Sequence, residues 1–193
     1  MLPFFIIPPA SRRISMPVDF AQISSTEDQR PTSTSPVVIR MNQNDAISGI
    51  AHNGEKPGDI RFVDSGVYII IAAPQVGRLS GSESRYVDFW LRKNGTDVQN
   101  SNVRIVLGNG KDKDVVVNQS MMPLAEGDVL NVMMCVEVAD EGLGIETIRP
   151  DGRPLVPSII LSILRIQEVT KGHWIPTGRG GGKWIEESPL LSP

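Results

Sequence analysis

The sequence predicts an all-β fold in which antiparallel strands form a sandwich or a barrel. Short runs rich in Val and Ile recur through residues 37–168, and turn signals such as Asn-Gly, Gly-Asp and Pro separate them. Asn94-Gly95 and Asn109-Gly110 are strong hairpin signals, because a type I′ turn needs positive φ at both central residues. No stretch has the apolar spacing of a long amphipathic helix. Many short strands joined by regular turns are typical of sandwiches and barrels. The predicted strands are Val37–Met41, Ala46–Ala51, Ile60–Val63, Gly66–Ala73, Tyr86–Lys93, Val103–Leu107, Asp114–Met121, Asp128–Val138 and Ser158–Gln167.

Composition argues against several classes of function. The net charge is -3 and no dense run of Lys and Arg is present, so nucleic acid is not an expected partner. The single cysteine, Cys135, cannot form an intrachain disulfide, and its apolar neighbours predict a buried, unreactive thiol. His52 and His173 lie near no nucleophile motif, and no zinc-binding pattern occurs. We therefore expect no catalytic residue, no metal site and no cofactor, and hence no enzyme.

The chain divides by composition into three parts. Residues 1–36 are rich in Pro, Ser and Thr and are predicted to be an extended N-terminal arm. Residues 37–168 form the predicted β domain, and residues 169–193 form a tail that contains Gly and Trp. The arms carry apolar side chains that are expected to contact other surfaces: Phe4, Phe5, Trp174 and Trp184.

The apolar N-terminus and the glycine-rich C-terminal segment can each be compared with known signals, the first with signal peptides and the second with phosphate-binding loops. The apolar start, Met1–Pro9, is short, is broken by prolines and lacks preceding basic residues, so a signal peptide is not expected. No run approaches the length of a membrane span. The glycine-rich segment Thr177–Lys183 lacks the Gly-Lys-Ser/Thr ending of a phosphate-binding loop. The sequence thus predicts a protein made in the cytoplasm, with a C-terminal tail that binds no nucleotide.

Two predicted strands are apolar on both faces. Since successive residues of a strand point to opposite faces, Gly66–Ala73 and Ser158–Gln167 each present two apolar surfaces. A two-layer antiparallel sandwich buries only one of them, so a partner subunit or the tails must cover the other. By contrast, Tyr86–Lys93 alternates apolar with polar residues and predicts one buried face. The residues predicted to form the subunit interface or the core are Tyr68, Ile70, Ile160, Leu164 and Ile166.

Four motifs in fixed order resemble those of a known family. They are Ile60-Arg61-Phe62 followed by Ser65-Gly66-Val67-Tyr68, then Phe89-Trp90-Leu91-Arg92-Lys93-Asn94-Gly95, then Leu124-Ala125-Glu126-Gly127-Asp128-Val129, and last Pro157-Ser158-Ile159-Ile160-Leu161-Ser162-Ile163-Leu164. Together they resemble the C1q/TNF-like jelly-roll family over residues 37–168, in a bacterial or viral form without a collagen-like repeat. The resemblance implies an antiparallel jelly-roll sandwich and a homotrimer whose inner sheet, including the last strand, packs around the three-fold axis.

Two functions fit this interpretation. The first is a non-enzymatic structural assembly protein, a jelly-roll trimer that serves as a minor capsid, decoration or fibre component of a virus particle. Its partners would be its own copies and, through the arms, neighbouring subunits of the particle. The second is a trimeric binding module that recognises a protein receptor or a carbohydrate through loops such as Gln75–Arg85 and Ala139–Pro157.

Overall fold

A computed structural model describes residues 18–168 of the protein except Asn109 and Lys111, together with the backbone of 172–177 and 181–186. All regular structure in these residues is β-strand, as the sequence predicts. The strands are β1 Phe20–Ser25, β2 Val37–Val38, β3 Gln43–Ser48, β4 Ile50–Ala51, β5 Ile60–Phe62, β6 Gly66–Gly77, β7 Arg85–Lys93, β8 Thr96–Asp97, β9 Val103–Leu107, β10 Lys113–Val115, β11 Asn118–Leu124, β12 Val129–Val136, β13 Gly144–Ile145, β14 Ile159–Glu168, β15 Gly172–Thr177 and β16 Gly181–Glu186.

Two antiparallel sheets form the sandwich. The first has the order β10-β6-β14-β1-β3, with β11 and β13 also paired to β6. The second has the order β4-β5-β12-β7-β8, with β2 paired to β12 and β9 paired to β7. Every pairing between these strands is antiparallel, which confirms the predicted antiparallel sandwich.

The core lies between the sheets and follows the alternation of each strand. On β7 the apolar side chains of Val87, Phe89 and Leu91 are completely buried, whereas Asp88, Trp90 and Arg92 point to the outer surface. This confirms the one-sided burial predicted for residues 86–93. The central strands of the first sheet contribute Tyr68, Ile70, Ala72, Ile159, Leu161 and Ile163 to the same core.

The N-terminal boundary of the domain differs from the prediction. The sequence predicts an arm over residues 1–36, but Phe20–Ser25 is strand β1, which pairs with β14 on one side and β3 on the other. The assignment of residues 20–25 to an arm is therefore wrong. Ala21 and Ile23 point into the core and are buried. With only two apolar residues on its inner face and polar residues around it in the sequence, this segment shows a weak strand pattern. Residues 1–17, including Phe4 and Phe5, lie outside the described residues.

Part of the C-terminal tail has backbone order of its own. Strands β15 and β16 pair as an antiparallel hairpin within residues 169–193, where the sequence predicts a tail that contains Gly and Trp and names no strand. Trp174 and Trp184 lie directly opposite each other in this register. Of the glycine-rich segment Thr177–Lys183, Thr177 ends β15 and Gly181, Gly182 and Lys183 begin β16.

The predicted Asn94-Gly95 turn is present and is tied to a second turn. Asn94 and Gly95 have φ of 49° and 80°, as a type I′ turn requires. The Asn94 side chain donates from Nδ2 to Asp128 Oδ1 at 2.7 Å and accepts from the Val129 backbone N–H at 2.8 Å. Asp128 Oδ2 in turn accepts from the Ala125 N–H and from Lys93 Nζ, both at 2.7 Å. Two of the family-like motifs are therefore joined by one nearly buried carboxylate. The other predicted hairpin signal, Asn109-Gly110, includes Asn109, which lies outside the described residues.

Asp128→Ala should destabilise the fold by about 1.5–3 kcal/mol at pH 7, because it leaves the Asn94 side-chain amide, the Ala125 N–H and Lys93 Nζ without their charged acceptor. Burial raises the pKa of Asp128, but the bonds from Lys93, Ala125 and Asn94 outweigh it and hold the pKa below its ordinary value. A carboxyl with a depressed folded pKa contributes stability above its unfolded pKa of about 3.9 and loses it as pH falls through the folded value. The difference between wild type and variant in urea unfolding should therefore shrink from pH 7 to pH 3.

Glu126→Ala is the matched control, since it removes an exposed carboxylate from the same turn. It should change stability by no more than about 0.5 kcal/mol. Equal losses in the two variants, or a loss from Asp128→Ala that does not change with pH, would contradict the assigned role of Asp128.

Candidate assembly interface

The outer face of the first sheet carries a row of apolar side chains at one level. In the strand register Phe20 pairs with Leu164, Leu164 with Ile69, and Ile69 with Met121. Directly opposed residues share a face, so these four side chains of β1, β14, β6 and β11 lie side by side on the outer surface. Phe20, Leu164 and Met121 are 40%, 44% and 62% exposed. We name these four residues the apolar row.

The surroundings of the apolar row are uncharged. The neighbouring level of the sheet consists of Gln22, Ser162, Ile71 and Gln119, which also lie opposite one another. On the other side of the row, Val67 of β6 lies opposite Pro123 of β11. A surface with a central apolar band and few charges is typical of the core of a protein interface. This outer face can therefore associate with another apolar surface.

The structure divides the five residues predicted for the interface or core between two faces. Tyr68 and Ile70 point between the sheets and are completely buried in the core. Ile160, Leu164 and Ile166 belong to β14 and are 36%, 44% and 46% exposed. Only these last three remain candidates for contact with another chain.

A buried polar network holds the row's two central strands to β1. The Asp19 carboxylate lies 3.0 Å from Arg165 Nε and 3.0 Å from the Tyr68 hydroxyl, and the Arg165 N–H donates to the Asp19 carbonyl at 2.9 Å. Burial and the neighbouring Asp19 raise the pKa of Tyr68, so its hydroxyl remains a donor across the physiological range. A Cβ on Gly66 would lie 2.6 Å from Arg165 Cδ, which explains the glycine of the Ser65-Gly66-Val67-Tyr68 motif. The charged side chains of Arg165 and Asp19 are therefore buried and paired with each other, and they do not lie on the outer face beside the apolar row.

Sequence reasoning missed three members of the row. Phe20 lies in the predicted arm, although Phe20, Gln22 and Ser24 alternate with the apolar Ala21 and Ile23 as in a strand. Ile69 belongs to Gly66–Ala73, which is apolar on both faces, and the sequence does not tell which of these faces points inward. Met121 is the last residue of the predicted strand Asp114–Met121, which the structure divides into β10, Lys113–Val115, and β11, Asn118–Leu124.

Comparison with known proteins identifies the fold. No family model and no curated protein matches the sequence. Among solved structures, murine APRIL at pH 8.0 matches with a TM-score of 0.51 and 11% identity, over 78% of this chain and 100% of that chain. Murine APRIL at pH 5.0 covers the same shares at 12% identity with a TM-score of 0.49. APRIL is a TNF-family jelly roll. The chain has a C1q/TNF-like jelly-roll fold.

The opposite outer face of the jelly roll is polar. Arg104 forms two 2.7 Å bonds to Asp88 and stacks 3.7 Å from the centre of the Tyr86 ring. Arg92 pairs with Asp97 at 2.7 Å. The two outer faces therefore differ in chemistry, and the apolar one is the better candidate for subunit contact.

Cys135 lies on this polar face and not in the core. Its thiol is partly exposed and donates to the Thr34 carbonyl at 3.1 Å, so the prediction of a fully buried cysteine is wrong. The residue directly opposite it on β7 is the outward-facing Asp88. Burial and the Asp88 charge raise the pKa of the Cys135 thiol, which keeps it protonated and weakly reactive.

The two loops that sequence suggested for ligand binding come together at one end of the jelly roll. The backbone N–H groups of Leu79 and Ser80 both donate to the Glu141 carbonyl at 3.1 Å. Arg78, whose side chain is completely buried, pairs with the Glu141 carboxylate. Hydrogen bonds and an ion pair therefore connect segment 75–85 to segment 139–157.

Other candidate sites serve structural purposes or lie outside the described residues. The ring nitrogens of His52 lie 2.7 Å from Asn44 Oδ1 and 3.1 Å from the Pro57 carbonyl, which fixes this histidine in a turn. Within residues 18–168, as far as they are described, no cluster of His, Cys, Asp and Glu could hold a metal ion. No helix in the same residues is long and apolar enough to cross a membrane. The side chains of His173, Trp174 and Trp184 lie outside the described structure, as do Phe4 and Phe5.

Proposed function

We propose that this protein is a non-enzymatic structural protein that assembles as a jelly-roll homotrimer through the outer face of its first sheet. The apolar row is the observation that carries the proposal. Each of its exposed side chains gains roughly 1 kcal/mol when the remaining exposed area is removed from water. A face of this kind favours association wherever a complementary apolar surface is present, and a second copy of the chain supplies one.

The proposed number of subunits rests on the family that the sequence resembles. In that family the sheet containing the last strand packs around a three-fold axis. Here the last strand of the first sheet is β14, which supplies Leu164 to the apolar row. Three copies placed in this way would bring the exposed residues of β14 toward one another. A closed cyclic arrangement covers the apolar face on every copy.

The proposal extends to a role within a larger particle, such as a minor capsid, decoration or fibre component of a virus. It is supported by the segments that flank the sandwich, 1–17 and 169–193, which carry apolar residues suited to contacts with neighbours. In this arrangement the β sandwich supplies the trimer, and the flanking segments connect trimers to one another or to the rest of the particle.

The test is the mass of the purified full chain, measured by light scattering over a range of concentrations. We expect particles of three times the subunit mass of 21.1 kDa at low concentration, and multiples of that trimer as the concentration rises. A particle of one or two subunits at every concentration would contradict the homotrimer. A trimer that never associates further would contradict the role in a larger particle.

A further inference from the structure

A second surface, on the polar outer face of the jelly roll, has the features of a ligand site. A cavity of about 360 Å³ lies between strand β7, strand β12 and the loop after β8. It is lined by Trp90, Asp88 and Cys135 of the sheet and by residues of the loop 97–102. Its volume falls at the lower end of the range of small-molecule sites, roughly 300–1,000 Å³. Because it belongs to the second sheet, assembly through the apolar row leaves it accessible.

The loop that forms one wall is firmly anchored. Ser101 is buried, and its hydroxyl accepts from the Leu91 N–H at 3.0 Å and donates to the Val98 carbonyl at 2.8 Å. The Ser101 carbonyl accepts from Asn118 Nδ2 at 2.7 Å. The residue before it, Asn100, has a φ of 61°, a left-handed conformation that asparagine tolerates better than most residues. The backbone of this loop is therefore held in place before any ligand arrives, which lowers the entropy that binding must overcome.

The indole of Trp90 is fixed against the same loop. Its Nε1–H donates to Asp97 Oδ1 at 2.8 Å, and the ring is only partly buried. The ring's polar group is therefore already satisfied, and what the indole offers the cavity is its apolar surface. Fixed aromatic surfaces of this kind pack against apolar C–H groups of a ligand.

Both carboxylates beside the indole are neutralised by arginines. Asp88 accepts two 2.7 Å bonds from Arg104, and Asp97 accepts a 2.7 Å bond from Arg92. The bond from Arg92, followed by that from Trp90, holds the pKa of Asp97 below its ordinary value, so the pair persists at neutral pH. Each carboxylate beside the cavity is thus balanced by an arginine, so neither a cationic nor an anionic ligand meets an excess of opposite charge.

The remaining polar groups of the cavity are neutral amides. Gln99, Asn100 and Asn102 are exposed, and their side-chain amides form no hydrogen bond with the part of the chain that the structure describes. Each amide can donate and accept at once, as each hydroxyl of a sugar also can. We propose that this cavity binds a neutral saccharide of one or two rings, with its apolar face on Trp90 and its hydroxyls bonded to the amides of the 97–102 loop. This site is independent of the proposed trimer.

Nitrogen-15 NMR of the full-length protein tests the proposal. Galactose, glucose, mannose, fucose and N-acetylglucosamine are titrated separately, with choline and inorganic phosphate as charged probes. The Trp90 indole resonance, identified by its loss in Trp90→Phe, and the Asn100 side-chain amide should shift saturably with at least one sugar in the millimolar range. Neither charged probe should shift them. Saturation by choline or phosphate, or no shift with any of the sugars, would overturn the proposal.

Substitutions of exposed residues test the sugar site without unfolding the protein. Gln99→Ala and Asn102→Ala should each raise the Kd of the sugar that binds by about tenfold, which corresponds to about 1.4 kcal/mol. Val106→Ala changes a residue of the same outer face, 60% exposed on β9, and should leave binding unchanged. Equal binding by all three variants would place the sugar elsewhere and reject this site. Light scattering of the same samples reports the oligomer separately, so failure of the sugar site is distinguished from failure of the trimer.

Discussion

Leu164→Asp should convert the proposed homotrimer into monomers. Leu164 lies in the middle of the apolar row, between Phe20 and Ile69, and is 44% exposed in the single chain. Assembly would bury one new carboxylate from every copy against an uncharged surface, at a cost of several kcal/mol for each ion. Light scattering of the full-length variant should give the mass of one subunit, 21.1 kDa.

A folded monomer distinguishes this effect from unfolding. Since Leu164 lies on the outer face and not in the core, circular dichroism of the variant should retain the β spectrum of the wild type. Leu79→Asp is the control, because Leu79 is 67% exposed on a loop at the end of the sandwich. This second variant should remain trimeric. Dissociation by both substitutions, or by neither, would show that the apolar row does not form the subunit contact.

Local sequence patterns predict most of the strands, but they do not predict which face of a two-sided strand is buried in the core. β7 was predicted almost to its ends because its two faces differ in polarity, and β9 because turn residues bound it on both sides. β6 has apolar residues on both faces, so alternation alone leaves two equivalent choices. The choice is made by long-range contacts, since the Tyr68 hydroxyl reaches Asp19, which is 49 positions away in the chain.

Long-range pairing also explains why the sequence does not predict β1, and with it Phe20 of the apolar row. β1 is six residues long, and its apolar face consists only of Ala21 and Ile23. Such a segment is stable as a strand because β14 and β3 pair with it, and β14 follows it by more than a hundred residues. No local signal marks that pairing, so the sequence alone places Phe20 in an arm. The prediction that a face of β14 contacts another subunit rests on local alternation, and it could be made from the sequence.

Phe62→Ala should lower the free energy of unfolding by about 3–5 kcal/mol, because it removes a large buried ring and leaves a cavity. Phe62 is 1% exposed, and its ring centre lies 4.6 Å from that of Tyr68 at an interplanar angle of 68°. An edge-to-face aromatic pair of this kind contributes about 0.5–1.5 kcal/mol beyond the burial of its area. Tyr68 also bonds to Asp19 before β1, so loss of the ring should loosen β1 as well as β5.

The adjacent residue provides the control for this loss. Val63 follows Phe62 directly, is 49% exposed, and can be replaced by Ala with an expected change of no more than about 0.5 kcal/mol. Urea unfolding of both variants at one subunit concentration removes the effect of assembly on apparent stability. Amide hydrogen exchange should show greater opening of residues 20–25 in Phe62→Ala than in Val63→Ala. A loss below about 1 kcal/mol, or unchanged exchange in β1, would mean that the ring pair does not connect β5 to the N-terminal strand.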